Sequence, residues 1–302
     1  PAYKEEGHIG IVIKTMPEFV DHIVVVDDGS TDKTSEKALE SGDERVVVIK
    51  HHKNQGVGSA IITGHKKAIE LGAEVSVVMA GDAQMDPKYL TDLLNAVIEQ
   101  GYDYAKGNRF LKRGHKRGMP RIRILGNILL AFLNKLASGY WNIFDPQNGY
   151  TAIRTSVLKE LDLDHLAKGY QFENDMLVHL NIVNARVKDV SIPGVYQGQH
   201  SKIKLYRFIL KTSLFLIKRF FYRIYKKYIF LDLRPFALTF IPGLILFLWG
   251  LLYGAYTAYL RYLDPRHLVP SSGTVMLFAL PLLMGFQLLI AAFIMDILET
   301  PR

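Results

Sequence analysis

Two long stretches without a charged residue, both in the last third of the chain, constrain the fold more than any other feature. They run from Phe236 to Leu260 and from Thr274 to Met295. Each is long enough to cross a hydrocarbon layer of about 30 Å at a rise of about 1.5 Å per residue. The linker 261–273 is short and contains Pro, Gly and Ser. We therefore predict a transmembrane hairpin over residues 235–302.

A basic segment precedes this hairpin. Between residues 204 and 234, Lys and Arg recur near helical spacing, with Leu, Ile and Phe between them. A helix with one cationic and one apolar face is typical of the membrane interface, although an ordinary solvated helix shows the same spacing. We predict interface helices over 204–234. The positive-inside rule then places the residues before Arg234 on the cytoplasmic side of the membrane.

The first two thirds of the chain alternate short β-branched runs with helical patterns. The predicted strands cover residues 22–27, 45–50, 75–80 and 102–106, and the predicted helices cover 32–41, 60–72 and 87–100. This alternation predicts an α/β domain over residues 1–203, with a doubly wound and mostly parallel sheet. In such a sheet, ligands bind beyond the carboxyl ends of the strands. A further strand would complete the pattern, so we expect the chain to continue before Pro1.

The charge balance and the absence of cysteine narrow the chemistry. The chain has 37 Lys and Arg against 29 Asp and Glu, a net charge of +8, and no Cys. A basic chain favours polyanionic partners such as phosphates, nucleic acid or anionic lipid. Without Cys, a thiol nucleophile, a thiolate zinc site and an iron–sulfur cluster are excluded. No nucleic-acid recognition motif accompanies the basic residues, so we expect no nucleic-acid partner.

Polar clusters follow two of the predicted strands. Residues 27–32 have the sequence DDGSTD, in which Asp28 can accept hydrogen bonds from a ribose or a base. The same residues are also typical of a turn and a helix cap. After the third strand, Asp82 and Gln84 are two residues apart, so an extended backbone would direct both oxygens to one side. Hard oxygen ligands suit Mg²⁺ or Mn²⁺ held jointly by the protein and a diphosphate.

Other charged groups lie further along the chain. In the segment GYQFEND, Glu173 and Asp175 are candidates for a base or for groups that position an acceptor. Carboxylates at a helix start explain them equally well. Arg109 and the basic segment 112–123, which contains Gly and Pro, indicate a loop that clamps phosphates. His51 and His52 have no partner that the sequence identifies, and we expect them to be surface or structural residues.

Taken in order, six motifs resemble those of the family 2 glycosyltransferases of the GT-A fold. They are PAYKEE at residues 1–6, VVVDDGSTD, NQGVGSA, GDAQMDP, GNR and DPQNGY. The narrower resemblance is to the polyprenyl-phosphate hexose synthases, such as the dolichol-phosphate mannose synthases, and covers Pro1 to about residue 204. It implies a GT-A catalytic domain that transfers one hexose, mannose or glucose, with inversion. The implied donor is GDP-mannose or UDP-glucose, the acceptor is polyprenyl or dolichyl phosphate at the cytoplasmic membrane face, and the cofactor is Mg²⁺ or Mn²⁺.

The resemblance also implies roles for individual residues. Those that bind the nucleotide sugar are Pro1, Tyr3, Glu5, Val26, Asp28, Gly81 and Lys202. Those that bind the metal are Asp82 and Gln84, and those that bind the acceptor phosphate are Arg109, Arg121 and Arg123. The residues expected to be catalytic are Asp82, Arg109 and Asp175.

Two positions depart from the family pattern. Ala80 replaces the first Asp of the Asp-x-Asp found in many relatives, and Tyr196 stands where mannose synthases often have Arg. Ala80 leaves a catalytically degenerate membrane scaffold open as one alternative, and Tyr196 leaves the nucleotide and the sugar open. A further alternative is transfer to another lipid acceptor such as diacylglycerol. The Gln-x-x-Arg-Trp motif of processive polysaccharide synthases surrounds neither Trp141 nor Trp249, which disfavours polymer synthesis.

Overall fold

The computed structural model describes residues 1–109, 121–193, 205–230, 234–264 and 268–301, with the main chain alone for 121–128 and 205–208. The chain divides into two compact units. One comprises residues 1–221 with 301–302, and the other comprises residues 222–300. Each unit has its own architecture.

The first unit alternates strands and helices, as the sequence pattern predicts. Its strands are β1 Ile23–Asp27, β2 Val46–Lys50, β3 Val75–Val78, β4 Tyr104–Asn108, β5 Thr151–Arg154 and β6 Val187–Ser191. Its helices are α1 Ile9–Lys14, α2 Thr34–Leu39, α3 Val57–Glu70, α4 Leu90–Ile98, α5 Arg121–Ser138, α6 Thr155–Glu160, α7 Phe172–Ile182 and α8 Leu205–Tyr225. The last four residues of α8 belong to the second unit.

The strands form a two-stranded and a four-stranded sheet. β1 and β2 run parallel, with Ile23 opposite Val46. The second sheet has the order β3-β5-β4-β6, in which β4 and β6 are parallel and β5 is antiparallel to both neighbours. The sheet is therefore mixed, and β5 and β6 are strands that the sequence pattern does not predict. Since Thr151 pairs with both Val78 and Lys106, the loop before β5 lies at the carboxyl ends of β3 and β4.

Helix α7 forms the centre of the larger apolar core. Its Met176, Leu177 and Leu180 are buried with Tyr140 and Ile153. Burying one large aliphatic side chain stabilises a fold by about 1.5–3 kcal/mol. Because α7 is buried along almost its whole length, the loop that enters it is held in a fixed position.

A cavity of about 750 Å³ separates β1 from β3. Its walls are mostly aliphatic side chains of the two strands and of α1, so it is a gap in the sheet and not a polar ligand site. The first residues of the chain close one end: Ala2 N donates to Val26 O at 2.8 Å, and Gly81 N donates to Pro1 O at 3.0 Å.

The second unit is built on two long helices, α9 Pro235–Tyr262 and α10 Ser272–Leu298. Both are long and apolar enough to cross a membrane, judged by length and composition. They approach closely at glycines: a Cβ on Gly250 would lie 2.6 Å from Leu282 N, and a Cβ on Gly285 would lie 2.4 Å from Phe247 N. Only glycine permits backbones to pack at this distance.

A buried ion pair joins the end of α8 to α10. The guanidinium of Arg223 donates to both oxygens of Asp296, at 2.7 and 3.0 Å, and the Tyr228 hydroxyl donates to Asp296 at 2.6 Å. Arg223 and Asp296 are almost completely buried. Removing one partner of a buried pair leaves an uncompensated charge and costs about 3–5 kcal/mol. The pair therefore fixes the start of this unit to the last turns of the hairpin.

Candidate active site

A cleft of about 200 Å³ lies at the carboxyl end of β1. Three parts of the chain meet there: the first residues, the loop before α3 and the loop before α7. The lining residues are Pro1, Ala2, Tyr3, Asp28, Asn54, Gly56, Val57, Ala60, Gly169 and Tyr170. Three residues expected to bind a nucleotide, Pro1, Tyr3 and Asp28, are thus brought together.

Asp28 organises one wall of this cleft. Its carboxylate accepts hydrogen bonds from Gln55 N at 2.9 Å and Gly56 N at 2.8 Å, and it contacts the His51 ring at 2.8 Å. The side chain is almost fully buried. Three of the about four acceptor positions of the carboxylate are used in this way. Asp28 therefore holds the loop before α3 against β1.

Hydroxyl groups of the DDGSTD turn and of Thr34, the first residue of α2, hold the first residues in place. Lys4 N donates to Ser30 Oγ at 2.9 Å, and Glu5 N donates to Thr34 Oγ1 at 2.9 Å. Tyr3 is 43% exposed at the cleft. The Glu5 carboxylate instead contacts His8 Nδ1 at 2.8 Å. The turn thus binds backbone of the first residues, whereas the N-cap of α2 is Lys33 and makes no side-chain cap, so the prediction that this turn caps the helix is wrong.

Two further predicted residues line no part of the cleft. Val26 is 1% exposed in the core, and only its carbonyl reaches the first residues, through Ala2 N. Gly81 is buried against Ala2, whose Cβ would lie 3.0 Å from a Cβ at position 81. Both residues therefore support the cleft from beneath.

Glycines of the NQGVGSA segment allow the two loops to meet. A Cβ on Gly56 would lie 2.4 Å from Lys168 O, and a Cβ on Gly58 would lie 2.4 Å from Ala167 O. Gly56 also has φ of 100°, a conformation that side chains rarely adopt. The segment therefore brings the loop before α7 onto the start of α3.

Asp82 and Gln84 lie in a turn that is tied to the first residues through Gly81. The Asp82 carboxylate accepts a hydrogen bond from Gln84 N at 3.1 Å, and Ala83 has φ of 58°. The predicted extended backbone is therefore wrong here, because Asp82 captures the amide two residues later. Both side chains remain partly exposed.

This turn offers few metal ligands. Across the described ranges, no three His, Cys, Asp or Glu side chains lie together in a way that would hold a metal ion. Asp82 and Gln84 offer hard oxygens, the type that Mg²⁺ and Mn²⁺ prefer. Such a donor set fits a divalent ion only when a bound diphosphate supplies further oxygens.

Arg109, at the end of β4, is bound to Asp145. Its Nε donates to Asp145 Oδ2 at 2.8 Å, its Nη2 donates to Oδ1 at 3.0 Å, and its main-chain N donates to Oδ2 at 3.1 Å. The Arg109 side chain is 34% exposed, whereas Asp145 is buried. A forked ion pair of this kind fixes the orientation of the guanidinium.

Lys106 supports this pair from below. Its Nζ donates to the carbonyl oxygens of Asp145 at 2.7 Å and Asn148 at 3.1 Å. Burial lowers the pKa of Lys106 to about 8. Burial also raises the pKa of Asp189, which accepts hydrogen bonds from Asn108 Nδ2 and Phe144 N. The DPQNGY loop therefore rests on a buried polar cluster.

The two acidic residues of α7 face different surroundings. Burial raises the pKa of Glu173, whose Oε1 lies 3.5 Å from the position of a Cβ on Gly149. Glu173 is thus next to the DPQNGY loop. Asp175 is fully buried and accepts hydrogen bonds from Ala167 N at 2.8 Å and Arg219 Nη2 at 2.6 Å. Asp175 therefore connects α7 to the cleft loop and to α8.

Several expected site residues have no side-chain description. Arg121 and Arg123 lie in the first turn of α5, where the main chain alone is described. Lys202, Tyr196 and most of the basic segment 112–123 lie outside the described residues. Their roles stay predictions.

Three residues at or near the cleft are ones for which the sequence predicts no role in binding. Asn54 and Tyr170 line it, and Tyr170 is 72% exposed. His51 contacts Asp28 from behind the wall. The glycine pair of NQGVGSA is the signal that points to the loop carrying Asn54, since it indicates a close backbone approach.

Comparison with known proteins identifies the family. Residues 1–162 match the family described as glycosyl transferase family 2. The chain belongs to this family. The protein is therefore a glycosyltransferase, with the α/β architecture of the GT-A fold.

Curated relatives agree with this assignment. The chain is similar to the UDP-N-acetylglucosamine–dolichyl-phosphate N-acetylglucosaminyltransferase of Methanococcus voltae, with 33% identity over 65% of this chain and 84% of the relative. It is 34% identical to the dolichol-phosphate mannosyltransferase of Pyrococcus furiosus, over 60% of this chain and 50% of that protein. It is 33% identical to the polyprenol monophosphomannose synthase of Mycolicibacterium smegmatis, over 58% of this chain and 68% of that protein.

Proposed function

We propose that this glycosyltransferase transfers a single sugar, mannose or glucose, from a nucleoside diphosphate sugar to a polyprenyl phosphate at the cytoplasmic face of a membrane. The observation that carries the proposal is the cleft at the end of β1, joined by Pro1 and Ala2 to the Asp82 turn. The names of the relatives support the same general reaction. Because one relative is named for N-acetylglucosamine transfer, that sugar belongs in the test.

The donor would bind with its nucleoside in the cleft. Tyr3 and Tyr170 are exposed there and offer ring faces to a base, while Asn54 offers an amide. The diphosphate would then extend past Gly81 to Asp82. This direction is the one in which ligands lie across the carboxyl ends of an α/β sheet.

Asp82 and Gln84 would hold Mg²⁺ or Mn²⁺ with the diphosphate. A divalent ion offsets the charge that develops on a departing nucleoside diphosphate. In this proposal the carboxylate of Asp82 orients the donor by fixing its pyrophosphate. Ala80 contributes no second carboxylate, so the donor itself supplies much of the coordination.

The acceptor phosphate would be received by Arg109, with Arg121 and Arg123. A phosphate monoester is already anionic at neutral pH, so it attacks the anomeric carbon without a strong general base. Backside attack inverts the configuration at that carbon. The full burial of Asp175 agrees with a role in positioning, since the proposed reaction does not require proton abstraction by this group.

The membrane would bring the lipid to the site. On α8, the apolar side chains of Leu210, Leu214, Ile217 and Phe221 are each 45–61% exposed and recur at helical spacing. Lys211 and Lys218 on the same helix are also exposed. A helix with this pattern lies in the headgroup region. The proposed organisation is a catalytic domain at 1–203, interface helices at 204–234 and a transmembrane hairpin at 235–302.

The test is a donor panel with purified protein in detergent. GDP-mannose, UDP-glucose and UDP-N-acetylglucosamine are each supplied with a short polyprenyl phosphate and Mg²⁺ or Mn²⁺, with EDTA and the unphosphorylated polyprenol as controls. We expect one donor to give a lipid carrying a single sugar on its phosphate, and EDTA to abolish the reaction. Transfer to diacylglycerol in place of the polyprenyl phosphate, or turnover of no donor, would contradict the proposal.

A further inference from the structure

His51 is the first residue after β2, and its ring is enclosed between β1 and α3. Nδ1 lies 2.8 Å from Asp28 Oδ1, and Nε2 lies 3.0 Å from Thr63 Oγ1. The side chain is only 9% exposed. When Nδ1 carries the proton, the ring donates to Asp28 and accepts from the Thr63 hydroxyl. Each ring nitrogen therefore has a defined partner.

These contacts set the rotamer of Asp28. The carboxylate must present Oδ1 to His51 and Gln55 N and Oδ2 to Gly56 N at the same time. The His51 ring is itself fixed by Thr63 on a regular helix. Thr63 on α3 thus fixes the His51 ring, and the ring fixes the Asp28 carboxylate. The carboxylate in turn holds the loop 51–56 through its main-chain N–H groups.

That loop is one wall of the cleft. Asn54 and Gly56 line it directly. The loop also lies close to the turn after β1, where a Cβ on Gly29 would be 2.5 Å from the main chain of Lys53. Because the loop is held through Asp28, a displaced carboxylate would move the cleft wall.

We propose that His51 is a positioning residue of the donor site, which fixes Asp28 and thereby holds the loop 51–56 in the shape that receives the nucleoside. The proposal rests on the proposed function, in which this cleft binds the nucleoside of the donor. His51 itself touches neither the sugar nor the acceptor. Its effect belongs to donor affinity and not to the rate of the chemical step.

The test compares three single variants in the full chain. His51→Ala should raise the donor KM about tenfold, with kcat changed less than about twofold and the acceptor KM unchanged. His51→Asn places an amide N–H near the former Nδ1, so it should recover most of the donor affinity. His22→Ala is the control, because His22 is an exposed histidine that lies outside the loop 51–56 and lines no part of the cleft, and it should leave all three parameters unchanged.

Direct binding of UDP and GDP separates this inference from the proposed function. If the unaltered protein binds one nucleotide and His51→Ala binds it equally well, the inference is overturned and the function stands. Equal loss of kcat, donor affinity and acceptor affinity in both His51 variants would also overturn it, since that pattern indicates a general folding defect. If the unaltered protein binds neither nucleotide, the proposed function fails, and this inference fails with it.

Discussion

The proposed function divides the candidate active site into a donor side and an acceptor side, and the two are held together by different kinds of contact. On the donor side, the Asp28 carboxylate is bound by two main-chain N–H groups and an imidazole. On the acceptor side, the Asp145 carboxylate is bound by the charged guanidinium of Arg109, above the buried amine of Lys106. The Asp28 carboxylate therefore holds a loop of the main chain in place, whereas the Asp145 carboxylate orients the guanidinium of Arg109.

This difference indicates on which side a side chain could exchange its hydrogen-bond partner for a bound phosphate. Main-chain N–H groups cannot leave Asp28 without a change in the loop, so the donor wall can change these partners only if the loop moves. A guanidinium binds phosphate with the same fork geometry that it uses for carboxylate. In the proposed function, the Arg109 guanidinium would receive the acceptor phosphate, while the main-chain N of Arg109 would keep its hydrogen bond to the Asp145 carboxylate.

The largest expected effect lies between the two sides, at Asp82. Asp82→Asn should lower kcat about 10²- to 10³-fold, the usual cost of losing one electrostatic group that acts on developing charge. Membrane association should be unchanged. Asp86→Asn is the control, because Asp86 lies in the same loop and caps a helical turn through Lys88 N. Full activity of Asp82→Asn with metal present would remove the metal assignment.

Arg109→Lys tests the exchange of partners on the acceptor side. Lysine keeps the charge but loses the fork. We expect kcat/KM for the polyprenyl phosphate to fall about 30-fold, equivalent to about 2 kcal/mol for a charged hydrogen bond. UDP or GDP affinity should not change. Arg45→Lys is the matched control, since Arg45 makes a similar forked pair with Asp43. A loss of nucleotide affinity in Arg109→Lys would contradict the division of the site.

Lys106 gives a pH test of the acceptor side. Burial lowers the pKa of Lys106 from 10.5 to about 8. Between these values the unfolded chain binds a proton that the folded protein does not, so the free energy of unfolding rises with pH. Relative to Lys106→Met, the unaltered protein should gain about 2 kcal/mol between pH 7 and 10. Chemical unfolding in detergent at pH 7 and pH 10 measures the free energy of unfolding of both proteins. If the unaltered protein and Lys106→Met differ by the same amount at both pH values, the prediction is wrong.

The smallest expected effect is at the rim of the donor side. Tyr170→Ala removes a ring from the proposed nucleoside subsite and should raise the donor KM about fivefold, consistent with about 1 kcal/mol for an aromatic contact. The acceptor KM should stay constant. Phe19→Ala is the control, because Phe19 is a similarly exposed ring that is absent from the cleft lining. A change in acceptor KM alone would place Tyr170 on the other side of the site.

Much of the α/β domain follows from local pattern. The β-branched runs at 22–27 and 45–50 become β1 and β2 within one residue at each start, because buried parallel strands need continuous apolar side chains. The two charge-free stretches become α9 and α10. Turn chemistry explains why the DDGSTD segment binds backbone.

The remaining features depend on contacts distant in sequence. β5 is antiparallel because the chain returns after α5 between β3 and β4, and its short segment carries no signal of direction. His51 meets Asp28 and Thr63 only through the pairing of β1 with β2 and the packing of α3. The helix α3 starts at Val57 and not at residue 60; because glycine is a weak helix former, the local pattern around Gly58 does not indicate this earlier start.

The glycines between α9 and α10 contribute to the pairing of the two helices and not to their hydrophobicity. A leucine at position 250 or 285 would leave each helix apolar enough to cross a bilayer. Its side chain would nevertheless clash with the backbone of the other helix. Insertion and pairing of these helices are thus encoded by different residues. We expect either substitution to leave both helices apolar enough to cross a membrane and to disrupt the packing of α9 against α10.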